Sequence, residues 1–301
     1  MNYQFPAVKA LIFRWDGRIL MQQRDNNDSL SDPNKWTFFG GMVEEDETLE
    51  EALSRELLEE IGVVPGLIQK PLFNWFSDKD KTMNHCFPIK FEVSDKDLIL
   101  MEGKDIKWLS LSELIRKEVT EIVYCNLSHI LSFMSSLFGD QKGDIESCLL
   151  NKKKMIKKND RVFYATCQSI EFSIQDIYFF KELAKAKRVQ IFRLCLHPND
   201  NSLVHQMIII HTQTTFVAAH RQKSKSSVAY VILEGKLVLG LYDKSGKNYE
   251  QVLLDSSNPS ANKIIRLSPK VFRSVQSLSE YVVFIEIAEG PFEDSDTIWM
   301  E

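Results

Sequence analysis

The chain has 301 residues, of which 44% are hydrophobic and 26% charged, the balance of a globular protein with material for about two domains. A formal net charge of −5 gives no general attraction to nucleic acid, and no run approaches the roughly 20 apolar residues of a membrane span, so neither partner is expected. Five scattered cysteines without a CxxC pair, and no N-terminal run resembling a signal peptide, point to reduced thiols in a cytoplasm.

Residues 8–13 form an apolar run expected to be a buried strand, and 18–23 a second one after the Asp16-Gly17 turn signal. Residues 25–34 are dominated by Asp, Asn, Ser and Pro and read as loop; 36–39 read as a short strand leading into Gly40-Gly41. Next comes a helix of three to four turns. Asp46 or Thr48 can cap it, Leu49, Leu53, Leu57 and Ile61 form one apolar stripe, and Gly62 stops it. Strands are expected at 72–76, 86–93 and 106–109, and helices at 111–117 and 122–138. Residues 139–161, with the basic cluster 151–161, read as a solvated connector, because no aromatic residue is interleaved in an acidic chain. A helix at 174–187 then precedes short apolar runs at 207–211, 228–234, 236–242, 250–254, 263–267 and 282–288, with turns at 234–236 and 243–246. Their hairpin spacing indicates a sandwich or barrel.

On the helix after Gly40-Gly41, Glu56, Glu59 and Glu60 stand at i, i+3 and i+4, so their carboxylates project close together. Like charges at that spacing weaken a helix by about 0.2–0.5 kcal/mol per pair. Glu60 also falls at the edge of the apolar stripe, where a solvated acid is out of place. Such crowding makes sense around a divalent cation, and oxygen-only donors suit Mg²⁺ or Mn²⁺. A single Arg55 among the acids is expected to orient one of them through paired hydrogen bonds, with Glu47 as its candidate partner.

Gly41, Glu47, Arg55, Glu56, Leu57, Glu59, Glu60, Gly62 and Val63 fill every specified position of Gly-x5-Glu-x7-Arg-Glu-U-x-Glu-Glu-x-Gly-U, where U is aliphatic. The segment therefore resembles the Nudix box of MutT-like hydrolases. The resemblance implies an α/β/α sandwich and metal ligation by Glu56, Glu59, Glu60 and the Gly40 carbonyl. It also implies that Glu47 holds Arg55, and that a further acid, here Glu102 ahead of Trp108, joins the site. Glu59, Glu60 and Glu102 are all candidates for the general base that activates water, and the residues do not choose among them.

The later half resembles the WbuC-like cupins, from about Phe180 to Trp299. The likeness rests on His197, Ala219-His220-Arg221, Leu233-Glu234-Gly235, and Glu286 to Phe292 with Gly290-Pro291 before Trp299. Gln222 stands where such cupins place a second metal-binding His, residues 223–228 contain no acid, and no His follows His220. Arg273 stands near the position of the late ligand. The metal is therefore expected to be lost, leaving either a ligand pocket around His220 and Arg273, for an anion or sugar, or a structural or homodimerising domain.

The expected fold class is α+β, a Nudix α/β/α sandwich followed by an all-β cupin (jelly-roll) domain. The expected boundaries are 1–140, a linker at 141–170, and 171–301. The expected function is a Nudix pyrophosphohydrolase using Mg²⁺ or Mn²⁺ on a nucleotide-type small molecule, a nucleotide sugar or a nucleoside triphosphate. A nucleotide- or sugar-sensing protein with little turnover is the alternative. Trp15, Trp36 and Phe76 are candidates for stacking on a base.

Overall fold

The computed structural model describes residues 5–27, 31–91, 98–223 and 227–300. The chain divides into two compact units, one of residues 1–149 with 173–186, the other of residues 150–172 with 187–301.

In the first unit, strand β1 (Ala7–Phe13) pairs antiparallel with β2 (Ile19–Gln23) and parallel with β5 (Thr82–Lys90). On the far side of β5 lies β4 (Phe73–Ser77), while β2 also pairs with β3 (Trp36–Thr37) and β6 (Asp105–Leu109). Helix α1 (Leu49–Ile61) covers one face of this mixed sheet. Its Leu53, Leu57 and Ile61 join Val8, Ala10 and Ile12 in one buried cluster, as the four-residue stripe requires. Phe13 packs edge-on against Phe133 on the opposite side, where α4 (Leu127–Phe138) lies.

The helix expected over 122–138 is two helices, α3 (Glu121–Tyr124) and α4, because Asn126 turns its side chain back onto the Ile122 carbonyl at 2.8 Å. That local bond competes with the helical ladder. Helix α2 (Leu111–Ile115) is shorter than the sequence suggested. Helix α6 (Ile174–Ala186), which the sequence places at the head of the β half, packs within this first unit instead. Its Gln175 bridges the Val119 N–H and the Lys117 carbonyl, and its buried Glu182 accepts the Ser128 N–H and hydroxyl. A lone α6 would leave these polar groups unsatisfied.

Residues 141–170, expected to be a linker, hold helix α5 (Lys142–Lys152) and two strands, β7 (Met155–Asn159) and β8 (Val162–Ala165). Lysines disguised β7: it is an edge strand whose residues after Met155 are all exposed, and charge on an edge strand guards against further pairing. Strand β8 pairs parallel with β9 (Ile191–Cys195), which pairs with β10 (Val204–His211). The sheet continues through β17 (Val282–Glu289) and β12 (Val228–Glu234) to β15 (Ile264–Leu267). A second sheet runs in the order β14 (Asn248–Asp255), β13 (Lys236–Tyr242), β16 (Phe272–Ser277), β11 (Phe216–Gln222) and β18 (Thr297–Trp299). Tyr230, Ile232 and Phe284 from the first sheet and Leu237, Leu239, Leu254 and Val275 from the second share one core, so this all-β unit is a sandwich. No helix among the described residues is long and apolar enough to cross a membrane. None of the five cysteines is joined in a disulfide.

Candidate active site

The loop before α1 is fixed by two glycines. Gly40 has φ +112°, and a Cβ there would lie 2.3 Å from the Val8 carbonyl oxygen, so only glycine lets this backbone run against β1. A Cβ on Gly41 would fall 2.5 Å from a Glu56 oxygen, so the bare glycine makes room for that carboxylate. Of the two candidate caps, Thr48 is the one used. It accepts the Glu51 N–H, and Glu51 returns a bond to the Thr48 N–H at 2.9 Å, while Asp46 sits in the preceding turn at φ +65°. Gly62 closes the helix in the left-handed conformation.

Arg55 is the hub of the site. Its Nε and Nη2 each donate to Glu47 at 3.0 Å, Nη2 also reaches the Met42 carbonyl at 3.0 Å, and Nη1 donates to Glu56 at 2.7 Å and Glu59 at 3.3 Å. The guanidinium thereby ties the loop at 42–47 to the helix and orients two of the three box acids. Arg55 holds the Glu47 carboxyl below its ordinary range, and the Glu47 and Glu56 carboxylates raise the already high pKa of Arg55.

The three box acids have different surroundings. Glu59 is exposed, Glu56 is half-buried, and Glu60 is buried. One Glu60 oxygen accepts from Gln22 Nε2 at 2.7 Å and the other from the Gly40 N–H at 2.7 Å. Burial pushes the Glu60 carboxyl up, against the pull of Lys9.

Two residues in this site escaped the sequence reading. Lys9 on β1 reaches in and donates its Nζ to the Gly40 carbonyl, facing Glu60 and Glu56. Arg24 adds charge near Lys9, and its Nε is buried with no hydrogen-bond partner. A charged residue within an otherwise apolar strand run would have been the signal for Lys9.

Glu102 is exposed and makes no hydrogen bond or ion pair among the described residues. Its loop is tied to the box, since the Met101 N–H donates to the Glu60 carbonyl oxygen at 2.9 Å. Trp36 is buried and flanked by Lys107 and Lys117, each ammonium 5.5 Å from the ring, whereas Trp15 and Phe76 are exposed.

The donor chemistry of Glu56, Glu59, Glu60 and Gly40 suits a hard divalent cation. The convergence is incomplete. Among the described residues, no three His, Cys, Asp or Glu side chains meet to hold an ion. Glu60 spends both oxygens on Gln22 and Gly40, and Lys9 takes the Gly40 carbonyl. Glu56 and Glu59 are left as the acids with oxygens to offer.

In the second unit, His220 lines a cavity of about 730 Å³, within the range typical of small-molecule pockets. Three more histidines, His197, His205 and His211, line the same cavity, although their sequence spacing gave no sign of it. Strand β10 carries His205 and His211, the segment just after β9 carries His197, and β11 of the other sheet carries His220. His197 and His205 stack with ring centroids 4.1 Å apart, and His211 Nδ1 lies 2.6 Å from Ser277 Oγ. Burial lowers His197, His211 and His220 to about 4, so all three are neutral at pH 7. Arg273 pairs directly opposite His220 but sits behind the cavity wall. It is buried, with its Nε on the Tyr230 hydroxyl at 3.0 Å and an Nη on the His220 carbonyl at 3.3 Å. Gln222, also lining the cavity, has a buried Oε1 without a partner.

Residues 4–124 match the model of the NUDIX domain, and residues 180–254 match a domain of unknown function, DUF6016. The chain is 45% identical over 56 residues to a CTP pyrophosphohydrolase of Escherichia coli (strain K12), covering 19% of this chain and 40% of that one. It is 37% identical over 109 residues to an ADP-ribose pyrophosphatase of Methanocaldococcus jannaschii, covering 35% and 60%. It is 27% identical over 151 residues to an RNA pyrophosphohydrolase of Wolbachia pipientis, covering 42% and 90%. The chain thus spans less than two thirds of the length of two of these three relatives.

Proposed function

We propose that the NUDIX domain at residues 4–124 hydrolyses a phosphoanhydride bond in a nucleoside diphosphate derivative, either a nucleoside triphosphate or a nucleotide sugar. The observation that carries this reading is the single guanidinium of Arg55 organising Glu47, Glu56 and Glu59, with two further cations, Lys9 and Arg24, close by. Three relatives that act on pyrophosphate bonds support the reaction class.

Arg55 fixes the Glu56 and Glu59 carboxylates, and these two would hold Mg²⁺ or Mn²⁺. A bound divalent cation supplies charge neutralisation for the diphosphate and acidifies water. Arg24, with a buried Nε in need of an acceptor, is suited to a substrate phosphate oxygen. Glu60 already accepts two hydrogen bonds, which leaves Glu59 and Glu102 to take the proton of the attacking water. Glu59 is favoured because Arg55 positions it. Trp15 and Phe76, exposed on this unit, are the residues left to stack on a base.

The test is a phosphate-release screen of nucleoside triphosphates and nucleotide sugars with Mg²⁺. Turnover of one class identifies the substrate. Folded protein that binds a nucleotide yet turns none over would favour the sensing alternative and sink the hydrolase.

For the second unit we infer a metal-free, cupin-like jelly roll whose cavity takes a small polar ligand at His220 and Gln222. Arg273 supports that wall from behind. A thermal-shift screen of sugars and organic anions tests it. A ligand that stabilises wild type and not His220→Ala supports the reading, and no shift with any ligand contradicts it.

A further inference from the structure

Strand β1 packs Val8, Ala10 and Ile12 into the apolar cluster under α1, and between Val8 and Ala10 in the chain stands a part-buried lysine, Lys9. An apolar side chain would fill such a position without the cost of stripping water from a charge. The lysine is compensated by the box itself. Its Nζ donates to the Gly40 carbonyl oxygen; burial lowers its pKa, and the nearby Glu60 and Glu56 carboxylates oppose that shift. Gly40 is held in place from its other side, because its N–H donates to Glu60 at 2.7 Å, and Glu60's second oxygen accepts from Gln22. Lys9, Gly40, Glu60 and Gln22 therefore form one connected chain of hydrogen bonds at the inner end of the carboxylate cluster.

A divalent cation on the Gly40 carbonyl would sit beside the ammonium, and like charges sharing one oxygen repel strongly away from water. We propose that Lys9 is a built-in cation that takes the place of a divalent ion at the Gly40 carbonyl and Glu60, so that the domain binds divalent metal only at Glu56 and Glu59. This rests on the hydrolase reading only insofar as the same carboxylates serve both. It explains why the inner acid is fully engaged while the outer two keep oxygens to offer. It also makes Glu60 a positioning residue for Lys9 and Gly40, and not a metal ligand.

The experiment is a Mn²⁺ titration of the full chain, with the free ion followed by electron paramagnetic resonance, for wild type, Lys9→Met, Lys9→Gln and Lys9→Arg. Circular dichroism checks that each is folded, and Lys9→Gln, which keeps a donor for Gly40, guards against a misfolded Lys9→Met. The expected result is one further bound Mn²⁺ in the two neutral variants, none in Lys9→Arg, and loss of the gain when Glu60→Gln is added. The same count in wild type and both neutral variants overturns the proposal. Because the count needs no substrate, its failure is separable from that of the hydrolase reading. A gained Mn²⁺ with no turnover of any nucleotide would sustain Lys9 and remove the hydrolase, and turnover with an unchanged count would do the reverse.

Discussion

Arg55 grips Glu47 through two parallel bonds, Nε to one carboxylate oxygen and Nη2 to the other, each 3.0 Å. A lysine offers no such fork, so Arg55→Lys keeps the charge and loses both the grip on the 42–47 loop and the orientation of Glu56. Turnover should fall by roughly 10- to 100-fold, the usual effect of losing a group that orients site ligands. Glu47→Gln should fall similarly, and the double variant no further than the worse single one. Additive losses, read from kcat in a double-mutant cycle, would mean the two residues act separately.

Gly40 and Gly41 should separate stability from activity. Gly40→Ala sets a Cβ 2.3 Å from a backbone oxygen at φ +112°, and should destabilise the chain by about 2 kcal/mol or more in urea unfolding. At Gly41 the obstacle is the Glu56 carboxylate, which can swing aside. Gly41→Ala should therefore cost turnover with little change in melting temperature. The opposite pattern would refute the assignment of Glu56 to the site.

The cavity histidines give the second unit a pH dependence whose sign is fixed. Burial lowers the folded-state values of His197, His211 and His220 to about 4, below the ordinary imidazole value. The unfolded chain thus binds more protons between pH 4 and about 6.5. Stability is fully present above that window and lost as pH falls through it, by on the order of 1 kcal/mol per imidazole for each pH unit. Calorimetry from pH 7.5 to 5 should show the β unit's transition falling, with a shallower slope in His211→Gln. An equal slope would rule out His211 as a contributor.

Trp15 and Phe76 are exposed, and Trp36 is core. Trp36→Ala should cost about 3–5 kcal/mol of stability. Trp15→Ala and Phe76→Ala should leave the melting temperature alone, and the one that stacks on the base should raise KM. Unchanged KM in both would remove stacking by either residue.

What the sequence disclosed was mostly local. The stripe, the cap at Thr48, the stop at Gly62 and the Arg55–Glu47 pair all follow from spacing along one helix and its lead-in. What it hid depended on distance. Lys9 meets Gly40 across 31 positions of sequence, and the four cavity histidines come from β10, from the segment just after β9, and from β11 of the other sheet. Composition misled at β7, whose lysines suit an edge strand as well as a connector, and at α6, whose polar partners belong to the first unit.

The Arg55-held carboxylates are the groups proposed to carry out phosphoanhydride hydrolysis. Turnover of the substrate found in the phosphate-release screen should be measured for wild type, Glu56→Gln and Glu59→Gln, with melting temperatures alongside. Both variants should retain the wild-type melting temperature and lose turnover by about 100-fold or more, the scale of removing a positioned proton acceptor. Equal turnover in folded wild type and variants would contradict the account.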